Sequence, residues 1–259
     1  FLLFQFFLQL SAGGIFHGVK QSFSLTDDFK TSLLLSSYYY IYVFFQAPAG
    51  LLVDRFGPRY LLSVGAACVA IGCFGFAGTS SFSVAMISRL LQGAGASFAF
   101  VSCMNLIRNW FPPQQFSFMT SLTEMFGMIG AIIGSVALAV WVKNAGWQTC
   151  TFVAGATAFI FSALLWYLIR DKKQDYTDTP QQNKLTFFNS LSDIVKQPTA
   201  WLNAIYSSLV FGVVSVFVAL WGVPFFENTR HIGVLPATML TNISFIGAAI
   251  GCPIIGALD

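Results

Sequence analysis

Long apolar stretches separated by brief polar ones set the organisation of this chain. They occupy Phe1–Phe23, Ser32–Val53, Tyr60–Gly78, Phe82–Ile107, Phe116–Val142, Thr149–Ile169, Ala200–Phe226 and Pro236–Leu258. A bilayer core about 30 Å thick takes roughly 20 apolar residues per helix, so each stretch predicts one crossing. Helices are the choice because lipid offers no partners for free backbone groups. No segment alternates with the period of two that a barrel strand needs. The connections are short except at 170–199, a polar stretch with most of the chain's soluble charge. The pattern predicts a six-helix bundle over 1–169, a linker over 170–199, and two further helices over 200–259.

Composition agrees. Hydrophobic residues make up 56% of the chain, charged residues 9%, and mean hydropathy is +0.72. A soluble domain carries about 25% charged residues, so this chain cannot coat a water-facing surface. A net charge of +3 gives no reason to expect nucleic acid as a partner. The basic residues set orientation instead. With the N-terminus inside, Arg55, Arg59, Arg108, Arg170, Lys172, Lys173, Lys184 and Lys196 fall on the inner side. Lys20, Lys30, Lys143 and Arg230 fall outside. The N-terminus and the linker are therefore expected in the cytoplasm. The five cysteines lie in or beside apolar stretches, without a C-x-x-C or a histidine cluster, and read as small packing residues. No metal or other cofactor is expected. The apolar start lacks the basic region and cleavage site of a signal peptide. It opens inside an apolar run, so an initiating Met and a short tail are expected before Phe1.

Gly50 to Arg59 reads G-L-L-V-D-R-F-G-P-R and sits between two of the crossings. Gly50, Asp54, Arg55, Gly57 and Arg59 fit Gly-x-x-x-Asp-Arg-x-Gly followed by basic residues. This resembles the loop between the second and third helices of the major facilitator superfamily. A second match, Arg89 to Gly95 (R-L-L-Q-G-A-G), resembles that family's Arg-x-x-x-Gly-x-Gly in the fourth helix. The resemblance implies an all-α membrane protein with a major-facilitator-type helical bundle. One six-helix half would be joined to two helices of the second half.

A weak internal echo agrees with duplication: Pro48 lies six residues before Asp54, and Pro253 six before Asp259. On that reading the chain stops where the second hairpin should begin, and about four helices are expected beyond it.

Within the hairpin, Gly50 is expected to let two helices approach closely. Asp54 can face the positive N-terminus of the next helix, which begins near Pro58. The resemblance implies a cytoplasmic gating latch formed by Gly50, Asp54, Arg55, Gly57 and Arg59. A well-capped turn that only sets topology is the plainer alternative.

Arg89 lies roughly 10 Å into its span at 1.5 Å per residue. An arginine there costs at least about 2.5 kcal/mol, which predicts that it faces the bundle interior. Glu124 is the other charge inside a span. A carboxylate in a low dielectric is suited to take up and release a proton. A permanent ion pair with Arg89 is the alternative. Tyr38, Tyr42 and Gln46 form an i, i+4, i+8 stripe that either lines a cavity or packs between helices. His17 and Lys20 share a face near the outer end of the first span. There they either meet an entering anion or serve structure at the interface. Trp221 is an interface anchor or a cavity wall, and Trp147 an anchor.

Gly127, Gly130 and Gly134 resemble the family's glycine-rich fifth helix. The Gly-Pro of its antiporters is absent, which weighs against drug efflux.

The function expected is secondary active transport of a small polar or anionic organic solute by alternating access, with proton-coupled import. Arg89 and Glu124 would handle substrate or proton. The partners expected are that solute, the proton and the lipid bilayer, for a monomer in a bacterial inner membrane. Efflux of amphipathic compounds by proton antiport, and a sensor or remnant that moves nothing, are the alternatives. No G-x-x-x-x-G-K-[ST] appears, and no nucleophile has an ordered base, so an enzyme is not expected.

Overall fold

The computed structural model describes residues 1–25, 27–170, 195–213 and 222–258. Side chains at 10–13, 17, 47, 138–139, 211, 224 and 234 lie outside that description. Among the described residues there is no strand. The helices are α1 (Leu2–Ser22), α2 (Asp28–Phe56), α3 (Pro58–Ala77) and α4 (Phe82–Trp110). The next helical stretch, Phe116–Leu168, breaks at Gly146 into α5 (116–145) and α6 (147–168). Then come α7 (Pro198–Gly212), α8 (Gly222–Arg230) and α9 (Val234–Leu258).

Local chemistry explains the boundaries. The Asp27 carboxylate accepts from the Phe29 amide at 2.9 Å and caps α2. Gly57 ends α2 at φ 83°, ψ 150°, and Pro58 occupies the first turn of α3. Gly146 repeats that conformation at φ 79°, ψ 157°. This region of backbone space is open essentially to glycine alone, at a cost of about 1–3 kcal/mol for other residues. Gly57→Ala should therefore destabilise the protein by about 1–3 kcal/mol. Gly50→Ala should be near neutral, since a Cβ there meets nothing within 4 Å. Thermal unfolding of the full natural protein in detergent checks both. Equal effects from the two would refute the backbone argument.

Pairwise contacts fix the directions of the helices. Gln5 meets Tyr42 and Gln9 meets Tyr39, so α1 and α2 are antiparallel. Leu35 meets Arg89 and Asp54 meets Asn105, so α2 and α4 are parallel. Backbones of α3 and α4 come together at Gly65 and Gly95, and again where Gly72 meets Gln92, antiparallel. On α6, Gly155 packs on Cys73 and Ser162 donates to the Ser63 carbonyl at 2.8 Å, antiparallel to α3. Gly127, Gly130 and Gly134 of α5 receive Phe6, Leu3 and Phe7 of α1. On α9, Asn242 meets Ser135 and Gly256 meets Ser121, so α9 runs antiparallel to α5. Helices α1, α3 and α5 thus run one way, and α2, α4, α6 and α9 the other. Small residues carry these contacts because, in lipid, close backbone packing replaces hydrophobic exclusion.

The core is shared by five helices. Phe4 and Leu8 of α1, Tyr38 of α2, Cys73 of α3, Ala96 of α4 and Ala154 of α6 belong to one buried cluster. Large apolar side chains such as Phe44, Ile71, Ile87 and Phe159 are exposed. That outer surface suits hydrocarbon.

Among the described residues five helical segments are individually long and apolar enough to cross a membrane. They are Pro58–Ala77, Phe82–Trp110, Pro113–Ala137, Val140–Leu168 and Leu235–Leu258. The halves of α1, bent by 56°, pass as a pair. Helix α2 is 29 residues long but is not in that set. The seventh crossing expected over Ala200–Phe226 is described only to 213. Residues 222–226 belong to the short, polar-ended α8. Most of the expected linker, including Lys172, Lys173 and Lys184, lies outside the described residues, as does Asp259 of the proline–aspartate echo. Pro48 and Pro253 both sit inside their helices. The close approach expected of Gly50 is not made there. Gly256, in the echo, presses on Ser121 instead.

Candidate functional site

Arg89 is 3% exposed, in the middle of the bundle. Its Nη1 donates to Gln92 Oε1 at 2.8 Å and its Nη2 to the Leu35 carbonyl at 3.1 Å. The guanidinium lies over the Tyr38 ring at 5.3 Å and the Phe76 ring at 5.5 Å. It is thus held by a neutral amide, a carbonyl and two aromatic faces, the interactions a buried cation uses when no carboxylate is near. The glycines after it let α4 reach α2 and α3. A side chain at Gly93 would collide with the Tyr38 carbonyl, and one at Gly95 with the Gly65 carbonyl.

Tyr38 leads to the second half of the site. Its ring stacks on Tyr42 with centroids 5.9 Å apart and planes 12° apart. The Tyr42 hydroxyl accepts from Gln5 Nε2 at 3.2 Å and is also in hydrogen-bond contact with Gln46. Gln5, buried on α1, is a member that sequence reasoning missed. Its position four residues into an apolar run was the available signal.

Glu124 is half-buried on α5. It interacts electrostatically with Tyr42 of α2, Cys103 of α4 and Cys252 of α9. Arg89 and Glu124 form no ion pair with each other, and the titratable side chains nearest Arg89 are the neutral Tyr38, Cys73 and Tyr39. The permanent lock raised by the sequence is not formed. Arg89 lies over the Tyr38 ring, which stacks on Tyr42.

At the other end of α2 the hairpin is tied sideways. Asp54 Oδ1 accepts from Asn105 Nδ2 at 3.0 Å, and Asn105 Oδ1 accepts from Asn109 Nδ2 at 2.8 Å. Helix α3 takes no side-chain cap, so the expected pairing of Asp54 with its N-terminus gives way to a contact with α4. Arg55 lies over the Phe56 ring at 5.5 Å. Arg59 Nε donates to the Trp166 carbonyl at 2.8 Å, and its guanidinium covers the Trp166 indole at 4.5 Å. That carbonyl belongs to the last turn of α6, where a cation also suits the helix dipole. Asn105 and Trp166 were not legible beforehand.

Lys20 and Trp147 are engaged elsewhere. Lys20 is ion-paired with the exposed Asp28. His17 lies on α1 with its side chain outside the described set, and Trp221 lies outside it altogether. Trp147 is no interface anchor. It is 3% exposed and donates to Ser22 Oγ at 2.8 Å.

The profile described as Major Facilitator Superfamily matches residues 2–259. A probable sulfoacetate transporter of Cupriavidus necator is 26% identical over 166 residues, covering 63% of this chain and 38% of that protein. A probable vesicular glutamate transporter of Caenorhabditis elegans is 28% identical over 172 residues, covering 64% of this chain and 29% of that one. The solved inward-open structure of a xylose transporter from E. coli superposes with a TM-score of 0.60 at 19% identity, over 95% of this chain and 63% of that one. The matched stretch therefore covers well under half the length of each of these two sequence relatives.

Proposed function

The chain belongs to the Major Facilitator Superfamily, and from that membership we propose that the protein is a secondary transporter importing a small organic anion together with a proton. It is an integral, multi-pass membrane protein. The family and the relatives it matches are transporters, not enzymes. Sulfoacetate and glutamate, the solutes in the two relatives' names, are both small organic anions. The proposal extends to the cytoplasmic membrane of a bacterium, with the 170–199 linker inside the cell, and to alternating access between two helix bundles as a monomer.

One observation carries this reading. Two charges of opposite sign lie within the spans, on α4 and α5, and neither neutralises the other. An intramembrane charge is costly, and one left unmatched is a sign of function. Glu124 faces helices α2, α4 and α9, where motion of α9 against the rest changes its surroundings. We assign Glu124 the proton and Tyr42 and Gln46 the solute. Arg89 is the fixed positive charge that biases the site toward anions. Gly50, Asp54, Arg55, Gly57 and Arg59 form the cytoplasmic gate.

The test is uptake by the full natural protein in liposomes. An inward proton gradient should drive accumulation of labelled organic anions, and collapsing it should stop accumulation. Uptake indifferent to the gradient, or outward movement of amphipathic dyes alone, would sink the proposal. Asp54→Asn should lower the uptake rate sharply with little loss of expressed protein. An unchanged rate would remove Asp54 from the gate.

A further inference from the structure

Beside Arg89, helices α1, α3, α4 and α6 line a small, partly open cavity of about 10 Å3, bounded among others by Leu8, Ile15, Phe76, Arg89, Gln92 and Thr151. That volume suits one water molecule. Two of the residues lining it carry unused donors. Arg89 Nε and Gln92 Nε2 are both buried without a hydrogen-bond partner, on side chains 3% and 1% exposed. The Gln92 amide cannot be turned to relieve this, because its oxygen already accepts from Arg89 Nη1. The third polar group is Thr151. Its hydroxyl proton goes to the Trp147 carbonyl at 2.8 Å, so its oxygen offers only lone pairs.

We propose that this cavity binds one internal water, which accepts hydrogen bonds from Arg89 Nε and Gln92 Nε2 and donates one to Thr151 Oγ1. Two donors and one acceptor match the usual requirement of a buried water for about three partners. A halide could accept from the two nitrogens, but it would face the Thr151 lone pairs with nothing to donate. A carboxylate is too large for the space. With the water in place, each of the three guanidinium nitrogens of Arg89 has a hydrogen-bond partner. The inference does not depend on the transport reading.

X-ray radiolytic footprinting of the full natural protein tests it, since radicals born at a bound water mark the side chains that touch it. Phe76, 0% exposed, should be marked far faster than Phe98, which is also buried but lies in another cluster. Thr151→Val, which keeps the shape and removes the acceptor, should lose the Phe76 mark, and Thr151→Ser should keep it. The proposal is overturned if Phe76 is as inert as Phe98 in the natural protein, or if Thr151→Val retains the mark. A bromide anomalous peak between Arg89 and Gln92 in a crystal grown with bromide would also overturn it. Should Thr151→Val fail to fold, the comparison of Phe76 with Phe98 decides alone.

Discussion

Glu124→Gln is expected to abolish proton-driven accumulation while leaving solute exchange intact. Glutamine keeps the shape and hydrogen-bonding reach of the side chain but cannot carry a proton. With one proton entering per monovalent anion, a gradient of one pH unit supports about tenfold accumulation, since about 1.4 kcal/mol is a factor of ten. The variant should fall from that level to about one, the value set by the solute's own gradient. Counterflow, in which labelled solute outside exchanges for unlabelled solute inside, needs no net proton movement and should persist. The contrast separates a coupling defect from a broken protein. Accumulation that survives in Glu124→Gln would place the proton elsewhere, and loss of both activities would point to misfolding or a solute contact.

Arg89→Lys should be nearly as damaging, despite preserving the charge. The guanidinium reaches Gln92 and the Leu35 carbonyl from two nitrogens while lying over two rings. An ammonium on a shorter, unforked stem cannot hold that arrangement. A hydrogen bond to a charged group contributes about 1.5–3 kcal/mol, so losing one of the two should destabilise by about that much. Thermal unfolding in detergent reads the loss. Uptake should drop with it, because the planar guanidinium that covers the Tyr38 ring is gone. A lysine variant with unchanged midpoint and uptake would mean that charge alone matters here and that the fork does not.

These two sites differ in how far the chain announces them. Arg89 was legible because an arginine seven residues into an apolar run has few places to go. The start of α3 at Pro58 was legible because proline suits a first helical turn. Lateral partners were another matter. Asp54 finds Asn105, Gln5 finds Tyr42, and Arg59 finds Trp166, across 51, 37 and 107 residues. Spacing predicts a helix's face only when one side meets water. Here most sides meet either lipid or other apolar helices, so the pattern carries little about which helix lies beside which. The same ambiguity misled at Gly50, whose motif suggests a tight crossing while its surface meets open space. Trp147 misled for a related reason: an indole at a helix end fits an interface or a buried niche equally well.

The bond from Arg59 to the Trp166 carbonyl has a mechanical consequence. It secures the last turn of α6 to the start of α3, at the point where the chain departs toward 170–199. A pull on that departing strand cannot simply fray α6 from its tip, because the arginine acts as a cleat. The load passes instead into the Gly57 elbow, and through it to the end of α2.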